Sequence, residues 1–453
     1  MYNLAQMAAR DLCSLLTEEG FSCLCGRNHR TNLREVIIEA GAAAATAAMV
    51  RKYRGSHVFL IADHNTYAAA GRRAASLLEQ AGIPHSVFIF PDEHVQATDR
   101  ALNQALAAFG PKCDLVLGVG SGTINDISKL VAKEKGAKYI IIATAPSMDG
   151  FASDTSSMVM AGVKTSVPST VPLAIIADLD ILAAAPRQLL QAGFGDIMAK
   201  YISICEWRIS HLITGEYYCE EIAAMMRLAV RNCVTHAEAM AKGDHNAVRL
   251  LMASLILSGV AMSFAQATRP ASGVEHYFSH VWEMRHLEFD TPTGYHGIQT
   301  GIGTMLALDI YEKIKAIKPD RERALAHAQS FDLEAWYEEI RRYLGYSGER
   351  LVELDRKEQK YNLAAHARRL EAIVDNWDQI LRIVAEELPS KEELSGPMAI
   401  VGCPLSPVEI GISYGEARRT LLFTKDIRFK YNAAMLLWDL GVLEEVAQSL
   451  WQE

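Results

Sequence analysis

The sequence predicts two domains, a mainly parallel α/β domain over residues 1–185 followed by an all-α domain over residues 186–453. Two observations carry that prediction. Short apolar, β-branched runs alternate with helical stretches through the first part, and such runs vanish after Pro186, where nearly every segment has helical periodicity. A chain of 453 residues, half hydrophobic and 22% charged, also exceeds one ordinary small core while keeping a globular composition.

In chain order, the runs are HVFLIAD (57–63), SVFIF (86–90), LVLGVG (115–120), YIIIATA (139–145) and LAIIAD (173–178). They are apolar throughout rather than alternating, as expected for strands covered on both faces of a parallel sheet. TYAAAGRRAASLLEQAG follows the first run and INDISKLVAKEKG the third, both with helical spacing. In the second part, residues 250–268 carry no charge and approach the length that spans a bilayer. Ser254, Ser258, Ser263 and Gln266 within the stretch predict a buried core helix instead, capped by Asp244. Residues 349–388 are rich in Arg, Lys and Glu at three- and four-residue spacings and read as solvated helix faces.

A net charge of −9 gives no footprint for a polyanion, which argues against nucleic acid as a partner but leaves room for a local pocket for a small phosphate. The eight cysteines, Cys13, Cys23, Cys25, Cys113, Cys205, Cys219, Cys233 and Cys403, show no CxxC pair and read as mostly reduced, buried thiols of a cytoplasmic protein. The first residues lack the basic and apolar regions of a secretory signal, so export is not expected.

The third run leads straight into Gly118, Val119, Gly120, Ser121, Gly122 and Thr123, with a helix expected from Ile124. Glycines there let backbone N–H groups approach a pyrophosphate, and the helix N-terminus favours its charge. The spacing departs from GxGxxG. Asp63, ending the first run, is placed to accept hydrogen bonds from a ribose or, alternatively, to cap the next helix. The fourth run ends in Thr144 and Ala145, and Pro146, Ser147 and Asp149, then Ser153, follow it, adding hydroxyls and a carboxylate at the same sheet end.

In the helical part, Gly193-Phe194-Gly195-Asp196 opens what reads as the helix IMAKYISICEW. His276 and His280 lie one helical turn apart, and His296 stands in a glycine-flanked turn before the next helix. A carboxylate and two imidazoles suit a divalent metal with open positions, and from the residues alone His276 pairs equally with His280 or with His296.

The segments GSGTINDISK, TAPSMDGFASDTSSM, AGFGDIMAKY, RPASGVEHYFSHVWEM and TPTGYHGIQTGIG, in this order, resemble the bacterial glycerol-1-phosphate dehydrogenases, within the iron-containing alcohol dehydrogenase and glycerol dehydrogenase superfamily. The likeness covers roughly Asp63 to Met305. It implies a Rossmann-like nucleotide domain, an α-helical second domain and a dehydroquinate synthase-like, iron-containing alcohol dehydrogenase fold. It further implies Asp196, His276 and His296 as metal ligands and His280 and Asp149 at the substrate, with Asp196 a candidate for substrate contact too. Gly120, Ser121, Gly122, Thr123 and Ile124 would lie along the cofactor pyrophosphate, beside Gly118, and Thr144, Ala145, Pro146, Ser147 and Ser153 would also touch the cofactor.

The implied reaction is reversible reduction of dihydroxyacetone phosphate to sn-glycerol 1-phosphate by NADH or NADPH. One divalent ion per subunit, zinc, nickel or iron, would hold the ketone oxygen, and a relay including His280, titrating near neutral pH, would supply the proton. Asp63 disfavours a 2′-phosphate and neighbouring Arg72 and Arg73 offset that, so both cofactors stay open. Arg269 is nominated for the substrate phosphate by position alone, against a role as a helix cap. A cytoplasmic homo-oligomer without stable membrane insertion is expected. The rival readings are a polyol dehydrogenase acting on unphosphorylated substrates, a dehydroquinate-synthase-like lyase, and a non-catalytic protein that binds metal and nucleotide.

Overall fold

The computed structural model describes residues 3–161 and 163–452. The chain forms two compact units, one of Met1–Ala161, Thr165–Ile197 and Glu220–Thr268, the other of Gly162–Lys164, Met198–Cys219 and Arg269–Glu453. They interleave in sequence rather than meeting once after residue 185, because the helices Glu220–Thr235 and His245–Ala265 pack on each other and the second of them packs against the strand Glu35–Glu39 and the turn at Gly150–Ala152.

In the first unit, β1 (Phe21–Ser22) and β2 (Asn28–His29) make an antiparallel hairpin. The main sheet contains β3 (Glu35–Glu39), β4 (Val58–Ala62), β5 (His85–Ile89), β6 (Leu115–Gly120) and β7 (Lys138–Ala143). Outside it stand β8 (Thr155–Met160) and β9 (Val163–Pro168), and β10 (Ala174–Asp178) completes it in the spatial order β3-β10-β7-β6-β4-β5. Every pairing in this sheet is parallel. The central strands β4, β6 and β10 are buried at every residue, which is why their runs are continuously apolar. From β4 the chain moves to β5 at one edge, then falls back to β6 on the other side of β4 and continues away. That reversal opens a crevice beyond the carboxyl ends of β4 and β6, the usual ligand position in such sheets.

The helices that matter here are α1 (Leu4–Arg10), α2 (Gly122–Lys135), α3 (Arg187–Met198), α4 (Glu220–Thr235) and α5 (His245–Ala265), followed by α6 (Val274–Phe289) and α7 (His296–Lys315). Among the described residues every element after β10 is helical. Helix α5 is long and apolar enough to cross a membrane, yet 83% of its apolar window is buried in the protein, as a core helix would be. Asp244 caps it, accepting the Ala247 N–H at 3.0 Å. Its serines serve the interior, since Ser263 Oγ donates to Ala152 O at 2.8 Å and a Cβ on Gly259 would sit 2.8 Å from Ala152 N. This close packing on the turn at Gly150–Ala152 is what assigns α4 and α5 to the sheet-bearing unit.

Candidate functional site

In the first unit, β6 ends at Gly120 and α2 begins at Gly122. A Cβ at Gly118 would press on Ser128 Oγ at 2.9 Å, and one at Gly120 would lie 2.5 Å from Ile124 Cβ, so these glycines are required by the protein's own packing. Gly122 differs, its nearest neighbour being Met148 Cγ at an ordinary 3.4 Å. Ser121 makes no side-chain cap on α2, and the first N–H groups of the helix are left for another acceptor. Its hydroxyl turns instead to Ser147 Oγ and to Ala145 O, while the Thr144 N–H donates to Gly120 O at 3.1 Å. Thr144, Ala145, Pro146 and Ser147 are thereby laced to the glycine turn, with Thr123 in the first turn of α2 and Ile124 buried beneath it.

Lys129, fully buried on α2, was not foreseen as part of this region. Its ammonium donates to Gly150 O (2.5 Å), Ser153 Oγ (3.0 Å) and Thr155 O (3.0 Å), and burial lowers its pKa to about 8. Ser153 in turn donates toward Gly150 O and Thr155 O. Its hydroxyl is thus engaged inside the turn. Lys129→Met is expected to cost about 1–3 kcal/mol for each buried acceptor it strands, read as a lower urea midpoint.

Asp149 and Asp196 meet through the backbone. The Asp149 N–H donates to Asp196 Oδ2 at 2.9 Å, and Ser258 Oγ donates to Asp149 Oδ2 at 2.7 Å. Asp196 does not lie at a helix start as the sequence suggested, because α3 begins at Arg187 and a separate helix follows over Lys200–Thr214. Gly193 sits mid-helix because only a residue without Cβ fits against the Pro146 carbonyl oxygen, which a Cβ would approach to 1.9 Å. At the end of β4, Asp63 Oδ1 accepts the Thr66 N–H at 2.7 Å in a capping box. Arg73 lies 3.6 Å from Asp178 at the end of β10.

The second unit gathers His276, His280 and His296. On α6, His276, His280 and Glu283 share one face at i, i+4 and i+7, and His296 is the first residue of α7. Ring centroids lie 5.3 Å apart for His276 and His296, 5.8 Å for His280 and His296, and 6.4 Å for His276 and His280. His276 Nδ1 is 2.8 Å from Glu275 Oε1, and His296 Nδ1 is 3.3 Å from Glu283 Oε1 and 3.1 Å from Ser279 Oγ. A carboxylate only accepts, so in both rings Nδ1 carries the proton and Nε2 presents the lone pair, the tautomer a metal requires.

Two carboxylates prepare this arrangement, and neither was foreseen. Burial raises the Glu283 pKa, but Lys164 at 3.7 Å and the two histidines outweigh it and hold the group well below the usual range. Glu206 accepts the Val274 and Ala433 N–H groups at 3.0 and 2.8 Å, beside Glu275 across Gly273. Burial, then the charge of Glu275, pushes its pKa above the usual carboxylate range. His280 departs from the near-neutral titration expected of it. Burial lowers its pKa to about 3, with Arg428 and His296 adding to the effect against Glu283, and the ring is neutral.

Arg269 is buried, with Nε donating to both Glu216 oxygens at 3.0 and 3.2 Å and Nη2 to Tyr431 O. Its Nη1, also buried, has no hydrogen-bond partner among the described residues. Lys430 is in the same neighbourhood. Burial, then the charges of Arg428 and Arg269, hold its amine well below its usual range, and Arg428 also acts on His280. Arg428 and Lys430 lie beyond the sequence motifs, and only the fold brings these cations together.

A family model described as iron-containing alcohol dehydrogenase matches residues 37–186. A glycerol-1-phosphate dehydrogenase [NAD(P)+] of Bacillus velezensis is 34% identical over 305 residues, 65% of this chain and 77% of the relative. A protein of the same name from Geobacillus stearothermophilus is 29% identical over 425 residues, 93% and 96% of the two chains. Among solved structures, an iron-containing alcohol dehydrogenase from Corynebacterium glutamicum aligns with a TM-score of 0.61 at 16% identity, covering 93% of this chain and 96% of that one. A probable glycerol dehydrogenase from Sinorhizobium meliloti aligns at 0.57 and 16% identity over 92% and 98%. At those identities the structural likeness speaks for the fold.

Proposed function

The chain belongs to the glycerol-1-phosphate dehydrogenase family, of the iron-containing alcohol dehydrogenase fold, and from that premise we propose that it reduces dihydroxyacetone phosphate to sn-glycerol 1-phosphate with NADH or NADPH. The observation that carries the phosphate in this reading is buried Arg269, whose Nη1 has no hydrogen-bond partner among the described residues, with Arg428 and Lys430 in the same unit as the three histidines and both arginines acting on the lysine. A phosphate dianion would offset their mutual repulsion. An unphosphorylated polyol gives no reason to gather three basic side chains around a buried guanidinium.

We assign the cofactor to the first unit and the metal ligands to Asp196, His276 and His296. The donor set fits a divalent ion, since the Nδ1 contacts to Glu275 and Glu283 would leave Nε2 of both imidazoles for a metal and Asp196 is fully buried. Zinc, nickel and iron all accept such ligands. The metal would polarise the ketone and the nicotinamide would supply hydride. The N–H groups at the start of α2 would receive the pyrophosphate, with Gly118 and Gly120 shaping the turn and Thr144, Ala145, Pro146, Ser147 and Ser153 beside it. Asp63, whose Oδ1 caps the helix after β4, would offer its Oδ2 to the ribose.

Asp149, fixed by Ser258, would accept a substrate hydroxyl. His280, neutral at physiological pH, would hydrogen-bond the reacting oxygen through its N–H and relay to it a proton taken up from solvent on its other nitrogen, leaving the ring neutral throughout. The reading places the reaction in the cytoplasm, where NAD(P) is abundant and thiols stay reduced.

The test is to reconstitute the protein with each metal, supply dihydroxyacetone phosphate with NADH or NADPH, and determine the configuration of the glycerol phosphate formed. Metal-dependent formation of the sn-1 isomer supports the proposal. The sn-3 isomer, or untouched cofactor with every metal, overturns it, and the latter result favours the lyase.

A further inference from the structure

The β1–β2 hairpin carries a second set of metal donors far from these in sequence. The Cys23 N–H donates to Arg27 O and the Gly26 N–H to Cys23 O, both at 3.0 Å, and Gly26 takes the left-handed φ of +85° that closes the turn. The turn brings Cys23, Cys25 and His29 together, with their donor atoms within 4.8 Å of one another and Cys25 Sγ 3.4 Å from His29 Nε2.

His29 is prepared as a ligand. It is fully buried, stacked on Phe264 with centroids 5.7 Å apart, and its Nδ1 lies 3.1 Å from Phe264 O. A carbonyl only accepts, so Nδ1 holds the proton and Nε2 turns its lone pair toward Cys25, the arrangement a backbone carbonyl imposes on many metal-bound histidines. The start of α4 is close by. Glu221 acts electrostatically on His29 and accepts the Leu4 N–H at 3.0 Å. Cys219, buried and two residues before Glu221, is joined through Glu220 to the first turn of that helix.

We propose that Cys23, Cys25, His29 and Cys219 bind one structural zinc ion. Three thiolates and one imidazole make a closed tetrahedral set with no position for substrate. The ion ties the N-terminal hairpin to α4 and, through the Phe264 carbonyl, to α5. The sequence pattern hides it, because Cys23-Leu24-Cys25 lacks the CxxC spacing and the fourth ligand comes from a remote segment. On binding, each cysteine releases its thiol proton to solvent and the zinc gains three sulfur bonds.

The site is separable from the one proposed above, which contains no thiolate. The experiment is cobalt substitution with metal analysis on the full-length protein, its Cys25→Ser variant and its His276→Ala variant. The expected result is thiolate-to-cobalt charge-transfer absorption in the wild type and in His276→Ala, lost in Cys25→Ser together with one metal equivalent. Absence of that absorption in the wild type, or unchanged metal content in Cys25→Ser, overturns the proposal. A second measurement covers a Cys25→Ser protein that fails to fold: alkylation of the intact wild type followed by peptide mapping. Cys23, Cys25 and Cys219 should resist alkylation until a zinc chelator is added. Equal labelling with and without chelator, or a disulfide among the three, counts against the site.

Discussion

His276→Ala is expected to lose the catalytic metal and reduce NAD(P)H oxidation to background, whereas His280→Ala keeps the metal and loses about 10²–10⁴-fold in kcat. The contrast follows from where each ring stands. His276 is oriented by Glu275 Oε1 at 2.8 Å, a contact that would fix the ring in the ligand role proposed for it. His280 has no such orienting bond, its Nδ1 being 3.6 Å from Glu283 and without a hydrogen-bond partner among the described residues, which suits a proton donor. Metal content by mass spectrometry beside kcat for the two variants checks this. Loss of metal in both would make His280 the second imidazole ligand in place of His296.

Gly193→Ala is expected to destabilise the protein by about 1–3 kcal/mol or more and to impair turnover, although it adds only a methyl group. The new Cβ would fall 1.9 Å from the Pro146 carbonyl oxygen, 2.9 Å from its carbon and 3.1 Å from Leu255 Cδ1. Helix α3 must therefore withdraw from the loop, and Asp196, three residues further along, would move with it. The 2.9 Å bond from the Asp149 N–H to Asp196 would then stretch. Gly396→Ala is the control. That glycine lies in the helix Lys391–Val401 with nothing within 4 Å of the added Cβ, so alanine there should stabilise by up to about 1 kcal/mol. Urea denaturation of both variants reads the difference, and equal midpoints would show that the α3 contact is not tight.

What could be read from the sequence was local. Five apolar runs and the glycine turn announced the sheet because buried parallel strands are continuously apolar, and Asp244 announced the start of α5 because capping is a short-range event. The edge strand β3 stayed hidden, since EVIIE is bounded by charge and only partly buried. Residues acting across long separations were also hidden. Lys129 on Gly150, Glu206 beside Glu275, and Arg428 near His280 have no periodicity or motif to mark them, and only the folded chain supplies their partners. The interleaved units escaped for the same reason, because helical pattern alone does not say that α5 seats on Ala152.

The ratio of kcat/KM for dihydroxyacetone phosphate over dihydroxyacetone, measured on one metal-loaded preparation, bears most directly on the proposed function. Arg269, Arg428 and Lys430 predict a preference for the phosphorylated ketone on the order of 10²-fold or more. Equal or faster turnover of the unphosphorylated ketone would contradict the phosphate pocket and identify a polyol dehydrogenase on the same fold.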